Sequence, residues 1–291
     1  MRLSVGAHMP NGAMTTDDLK LFELGQFRSA KLMEYHTRND ALRVRDYCSC
    51  VELIARLPDF LPPSRNPGPN LPERWATAAM RTIKQLYPYV LRYQFCTEPN
   101  EDWLTKTEGR WQFVTYARDA LASLRGLCAA RYPEIQFIAP PLSWSPRMWS
   151  HSPDNPSVYV LNDWLEAFER GGVNGSSFWR LFDYAGADCY WQSERQMRDP
   201  SFGASFEQVY TRSGGMGIWL CECGSSLGHK SPTPAPSEIE QAMVAQYPEY
   251  VSFLRTHAYV LGCSFFLIGG TPDWALFRMR EDVVRAIRSS T

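Results

Sequence analysis

Short apolar runs of strand-like composition recur eight times along this 291-residue chain, with helical or loop-plus-helix segments between them. The runs are Leu3–His8, Ser29–Met33, Cys50–Leu57, Tyr89–Thr97, Ile135–Ala139, Ala187–Trp191, Gly217–Cys223 and Gly262–Ile268. Helical patterns fall at Asp17–Leu24, with Thr15 or Thr16 as N-cap, then at Asn39–Tyr47, Glu73–Tyr87 and Trp111–Tyr132. They continue at Val158–Arg170, Ser205–Arg212, Ser237–Thr256 and Pro272–Arg288. In Glu73–Tyr87 the apolar residues Ala76, Ala79, Met80, Ile83 and Leu86 recur at helical spacing. Alternation of this kind is the pattern of parallel βαβ units. Eight units over this length predict an α/β fold: a (β/α)8 TIM barrel, a parallel eight-stranded barrel forming one domain over residues 1–291. The alternative is a doubly wound open sheet. That fold usually offers a Gly-rich phosphate turn after the first strand, and Met9-Pro10-Asn11-Gly12 is not G-x-G-x-x-G. The segment Gly175–Tyr184 fits neither period.

A chain of this size can bury a stable core without covalent staples. Its 30 basic and 31 acidic residues balance to −1, which argues against a nucleic-acid partner. No stretch approaches the ~20 apolar residues of a membrane span. None of the eight cysteines forms C-x-x-C. Cys48/Cys50 and Cys221/Cys223 are C-x-C pairs on strand-like runs, where Cα atoms two apart are roughly 6.5 Å distant, near the upper limit for a bridge. The expectation is buried free thiols, which suits a reducing compartment. Met1–Pro10 carries one positive charge and an apolar run too short for a signal-peptide core, so a cytoplasmic protein, or one released without a classical signal peptide, is expected. The five histidines form no H-x-x-x-H or H-E-x-x-H pair, so no metal and no cofactor are expected. A G-x-S-x-G nucleophile elbow is absent too.

Two glutamates close apolar runs. Glu98 stands in Thr97-Glu98-Pro99-Asn100 after the fourth run, and Glu222 in Cys221-Glu222-Cys223-Gly224 on the seventh. In a closed barrel both reach the C-terminal rim, where active sites of this fold lie. Charged residues on buried strands are uncommon unless paired. Two facing carboxylates in a cleft are the equipment of glycoside hydrolysis. With its strand count, this layout resembles the clan A retaining glycoside hydrolases, the cellulase-like and β-glycosidase-like barrels. There the acid/base Glu ends strand four, usually in Asn-Glu-Pro, and the nucleophile Glu ends strand seven. The resemblance implies a catalytic domain that cleaves β-glycosidic bonds by retaining double displacement, with Glu98 as acid/base and Glu222 as nucleophile. The architecture covers the whole chain, the motifs about a dozen residues.

Two departures are visible. Thr97 stands where the family usually has Asn, which puts the usual 2-hydroxyl contact in doubt and leaves room for a 2-acetamido sugar. Asp188-Cys189-Tyr190-Trp191 offers the family's Tyr after strand six without its His, and Tyr190 is the candidate to orient Glu222. Further substrate-binding candidates are His8 and Asn11 after the first run, Thr97, and the loop tryptophans Trp144 and Trp274, with Trp103 and Trp149 beside them. Arg56 is a candidate partner for a catalytic carboxylate. The expected partner is an oligo- or polysaccharide. Two other readings stand beside the leading one: a peptidoglycan-cleaving muramidase of the phage-lysin kind, and a non-catalytic carbohydrate-binding barrel, against which retention of both glutamates argues.

Overall fold

The structure is a computed structural model that describes residues 2–48, 51–59, 70–102, 109–143, 164–270 and 272–291. Among the described residues eight strands run in parallel: β1 Ser4–His8, β2 Ser29–Leu32, β3 Glu52–Arg56, β4 Arg92–Gln94, β5 Gln136–Ile138, β6 Ala185–Trp191, β7 Ile218–Ser225 and β8 Val260–Phe265. Their order is β5-β4-β3-β2-β1-β8-β7-β6. A parallel bridge between Ile138 and Tyr184, with the Ala139 N–H donating to the Tyr184 carbonyl at 2.9 Å, joins the two ends of the sheet. This is the expected α/β barrel, a (β/α)8 fold.

The helices outside it are α1 Thr16–Leu24, α2 Arg38–Tyr47, α3 Leu71–Leu86, the short α4 Pro99–Asp102, α5 Gly109–Ala129 and helical residues 164–170 (α6). They continue as α7 Glu194–Met197, α8 Phe206–Arg212, α9 Pro236–Leu254 and α10 Glu281–Ser290. α1 and α2 start at capping boxes. Thr15 and Thr37 accept from the N–H of Asp18 and Asp40, whose carboxylates accept from the threonine N–H groups in return.

Strand alternation separates two cores. Leu53, Ala55, Tyr93, Phe137, Leu220 and Cys263 point outward into the large cluster beneath the helices. Inside the barrel the apolar filling is small: Ile54, Ile138, Trp219 and Cys221, with Tyr184 and Leu261 against them. Arg92 lies below, ion-paired with Glu52 and 5.4 Å from the Tyr184 and Trp219 ring centroids. Small residues let the strands close, since a Cβ on Gly6 would sit 2.1 Å from Ser29 Oγ. The inward positions at the C-terminal ends belong instead to His8, Lys31, Gln94, Tyr190 and Glu222, and these form the upper layer.

Four expectations need correction. β4 is only Arg92–Gln94, so Glu98 follows the strand by four residues rather than ending it. β7 runs on to Ser225, so Glu222 lies within it. The pairing of β7 shifts register between Leu220 and Cys223 and that of β6 between Ala187 and Asp188. Cys221 and Cys223 therefore share no face: Cys221 packs inside the barrel, and Cys223 reaches the Ser264 carbonyl at 3.6 Å on the outer side. Both are free and buried, as expected. The closing segment is not one helix. Residues Pro272–Phe277 form a 3-10 helix, and α10 starts only at Glu281. Between them the Met279 N–H donates to the Leu267 carbonyl at 2.9 Å, a bond incompatible with continuing the helix. Gly175–Tyr184 begins at the last residue of the 3-10 turn Val173–Gly175 and holds the 3-10 turn Phe178–Leu181, both too short for a periodic signal.

Candidate active site

Glu222 is 8% exposed, and both of its oxygens are engaged. Oε1 accepts from Lys31 Nζ at 2.7 Å and lies 3.5 Å from His8 Nε2. Oε2 accepts from the Tyr190 hydroxyl at 2.6 Å. These partners come from three strands. The β1–β2 register sets His8 beside Lys31, and the β6–β7 register sets Asp188 beside Glu222, with Tyr190 two residues on and on the same face. Lys31, 1% exposed, uses its long stem to reach across the barrel.

Burial alone would push the Glu222 pKa up. The Lys31 ammonium and the His8 contact overturn this and hold the carboxyl well below its ordinary value. Glu222 is therefore ionised at neutral pH. Tyr190 moves the opposite way: burial first, then the charges of Glu222, Asp188 and Glu98, raise its pKa well above 10, so it stays protonated and donates. His8 Nδ1 is 2.7 Å from the Met9 carbonyl, which can only accept, so that nitrogen carries a proton. Burial lowers the His8 pKa, and the contact of Nε2 with Glu222 Oε1, 3.5 Å away, works the other way.

Glu98 is half-buried after β4, and its charge reaches Tyr190. Its φ is 36°, the left-handed region, which costs a residue with a Cβ roughly 1–2 kcal/mol. Contacts on both sides hold that backbone. The Thr97 N–H donates to Asp59 Oδ1 at 2.8 Å. Asn100 is fully buried; its Nδ2 donates to the Ser143 carbonyl at 3.1 Å and its Oδ1 accepts from the Ser143 N–H at 2.8 Å. Arg56, the candidate partner for a catalytic carboxylate, pairs elsewhere. Its Nε and Nη2 donate to the two oxygens of Glu34 at 3.0 and 3.1 Å, and Nη2 lies 3.5 Å from Asp59 Oδ2.

Of the sequence-derived residues, the structure brings His8, Tyr190 and Glu222 into contact, with Glu98 in electrostatic reach. Asn11 Oδ1 and Thr97 Oγ1 are buried and have no hydrogen-bond partner among the described residues. Trp274 packs edge-on against Phe266, with ring centroids 5.2 Å apart. Trp144, Trp103 and Trp149 lie outside the described residues. The sequence reading missed Lys31 and Phe266. Lys31 could have been found as Glu222 was, as a charge inside the apolar run Ser29-Ala30-Lys31-Leu32-Met33. Phe266 contacts His8, Tyr190 and Trp274 edge-on at 5.2, 6.2 and 5.2 Å, and nothing in its run of apolar neighbours distinguished it. Among the described residues no group of three or more His, Cys, Asp or Glu could hold a metal, and no helix is long and apolar enough to cross a membrane.

No protein-family model matches the chain, and no curated protein matches it. Solved structures do. The chain is similar to the β-glycosidase BGL167, at 12% identity and a TM-score of 0.60 over 94% of this chain and 84% of that one. It is similar to a glycoside hydrolase family 5 enzyme from Prevotella bryantii B14, at 13% identity and a TM-score of 0.54 over 99% and 96%. A curdlan-specific exo-β-1,3-glucanase of family 128 from Blastomyces gilchristii, in complex with glucose, gives 15% identity and a TM-score of 0.55 over 98% and 97%. The fold is that of the barrel glycoside hydrolases. At these identities the likeness is one of fold, and the chemistry rests on the residues.

Proposed function

We propose that this chain is a glycoside hydrolase that cleaves β-glycosidic bonds of an oligo- or polysaccharide by retaining double displacement. The observation that carries the reading is the Glu222 carboxylate: buried, ionised and oriented through both oxygens at the C-terminal rim, with Glu98 in electrostatic reach. A nucleophile needs that state. Lys31 and Tyr190 hold the carboxylate in one orientation and keep it charged at neutral pH. Glu222 attacks the anomeric carbon while Glu98 protonates the leaving oxygen, giving a glycosyl-enzyme ester. Glu98 then takes a proton from water, which attacks the same carbon and releases Glu222. The edge of Phe266 and the ring of Trp274 offer an apolar wall beside the carboxylate. His8, Asn11 Oδ1 and Thr97 Oγ1 are the candidate contacts for sugar hydroxyls. The β-glycosidase and exo-β-1,3-glucanase among its structural relatives support this substrate class.

The test is stereochemical. A panel of aryl β-glycosides is hydrolysed in a proton NMR tube, and the first-formed anomer is read before mutarotation. The β-anomer is expected. The α-anomer would mean inversion, and absence of hydrolysis across glycosides and cell-wall suspensions would favour the sugar-binding barrel.

A further inference from the structure

The backbone around Glu98 is held by two side chains, those of Asp59 and Asn100. Upstream, the Thr97 N–H donates to Asp59 Oδ1 at 2.8 Å, and the other oxygen of Asp59 faces Arg56 Nη2 at 3.5 Å. Arg56 is itself fixed by its two-point pairing with Glu34. Downstream, the Asn100 amide closes a two-bond ring with the backbone of Ser143 beyond β5. Glu98 lies between these anchors at φ 36°. A left-handed residue with a Cβ persists only where its surroundings over-determine it, and such residues concentrate where a side chain must be aimed. Relaxation of this backbone to the ordinary region would swing the carboxyl away from the cleft.

We propose that Asp59 and Asn100 are the positioning residues of the acid/base. They form a clamp from the β3 and β5 sides that fixes the distance between the Glu98 carboxyl and the leaving oxygen. This inference rests on the assignment of Glu98 as acid/base. Asp59 receives its own orientation from Arg56, so the chain of influence runs Glu34, Arg56, Asp59, Thr97 N–H, Glu98. Neither residue takes part in nucleophilic attack.

This division makes a distinctive signature. Proton donation matters for a poor leaving group and hardly at all for an activated one. A clamp residue should therefore affect kcat/KM in proportion to leaving-group basicity, whereas general structural damage lowers all substrates together. A displacement of about 1 Å in a catalytic group costs on the order of 100-fold. The experiment measures kcat/KM for a series of aryl and alkyl β-glycosides with Asp59→Ala, Asp59→Asn, Asn100→Ala and Glu98→Gln. For Asp59→Ala and Asn100→Ala, losses of about 10–100-fold are expected on alkyl glycosides and under about threefold on dinitrophenyl glycosides. Asp59→Asn keeps an oxygen for the Thr97 N–H and should recover most of the lost rate. If Glu98→Gln is selective for poor leaving groups while the clamp variants lose uniformly or not at all, the clamp is wrong and Glu98 stands. If Glu98→Gln shows no such selectivity, the acid/base assignment itself fails. Should Asp59→Ala fail to fold, Asp59→Asn and Asn100→Ala decide the matter, and wild-type selectivity in Asn100→Ala overturns the proposal.

Discussion

Replacing Lys31 by Met keeps the apolar stem and removes the ammonium 2.7 Å from Glu222. In the native protein burial pushes the Glu222 pKa up, and that ammonium together with the His8 contact outweighs it and holds the carboxyl below its ordinary value. Without it burial dominates, and a buried carboxyl can move upward by as much as ~3–5 units. Tyr190 still donates to Oε2 and offsets part of that rise, so the net shift of Glu222 is upward. Removing one partner of a buried pair costs ~3–5 kcal/mol when the other must stay charged. The variant escapes part of that penalty by protonating Glu222, so the penalty depends on pH. The native depressed pKa adds stability above the unfolded value near ~4.3 and loses it as pH falls through the folded value. The raised pKa of the variant has the opposite sign: stability is highest in acid and falls as pH rises towards neutrality. Urea midpoints at pH 5 and pH 8 read this directly. The Lys31→Met deficit should be larger at pH 8 by roughly 2–4 kcal/mol, and the acid limb of kcat/KM should move towards neutral pH. An equal deficit at both pH values with an unmoved acid limb would refute the electrostatic role given to Lys31.

Three other outcomes are expected. Tyr190→Phe removes a hydrogen bond to a charged acceptor worth ~1.5–3 kcal/mol, so kcat/KM should fall ~10–100-fold with little change in melting temperature; a change under twofold would contradict the role assigned to its hydroxyl. Trp274→Ala should raise KM several-fold and leave kcat near native on small aryl glycosides, because its ring borders the site through Phe266; an unaltered KM on every substrate would remove it from the binding wall. Thr15→Ala breaks the capping box of α1 and should cost ~1 kcal/mol, read as a melting temperature lower by ~2–4 °C, with specific activity unchanged.

Periodicity made the barrel legible because all eight strands bury their outward faces beneath helices, and that burial demands apolar runs. Strand ends were less legible. β4 ends at Gln94 although Phe95 and Cys96 are as apolar as the strand, because a turn towards α4 takes over the backbone and no composition change marks it. Glu222 was visible as a charge within an apolar run. Lys31 carried the same signal, but an isolated lysine invites a solvent-exposed reading until its partner is known, and that partner lies 191 residues away. The clamp was illegible for a related reason. Asp59 and Asn100 act on backbone groups of Thr97 and Ser143, and a backbone N–H has no residue type to read. The register shifts that turn both Cys221 and Glu222 inward likewise depend on how β6 and β8 pair with β7, which no single strand reveals.

The proposed double displacement requires a covalent bond between Glu222 and the sugar. The most direct measurement is intact-mass and peptide analysis of the protein after incubation with 2-deoxy-2-fluoro-β-glycosides carrying dinitrophenyl leaving groups. The fluorine slows both steps, and the activated leaving group lets the first proceed, so the glycosyl-enzyme accumulates. A mass increase of one fluoroglycosyl unit is expected, located on the peptide containing Glu222 and absent in Glu222→Gln. An adduct on another carboxylate, or none with a sugar the enzyme demonstrably hydrolyses, would contradict it.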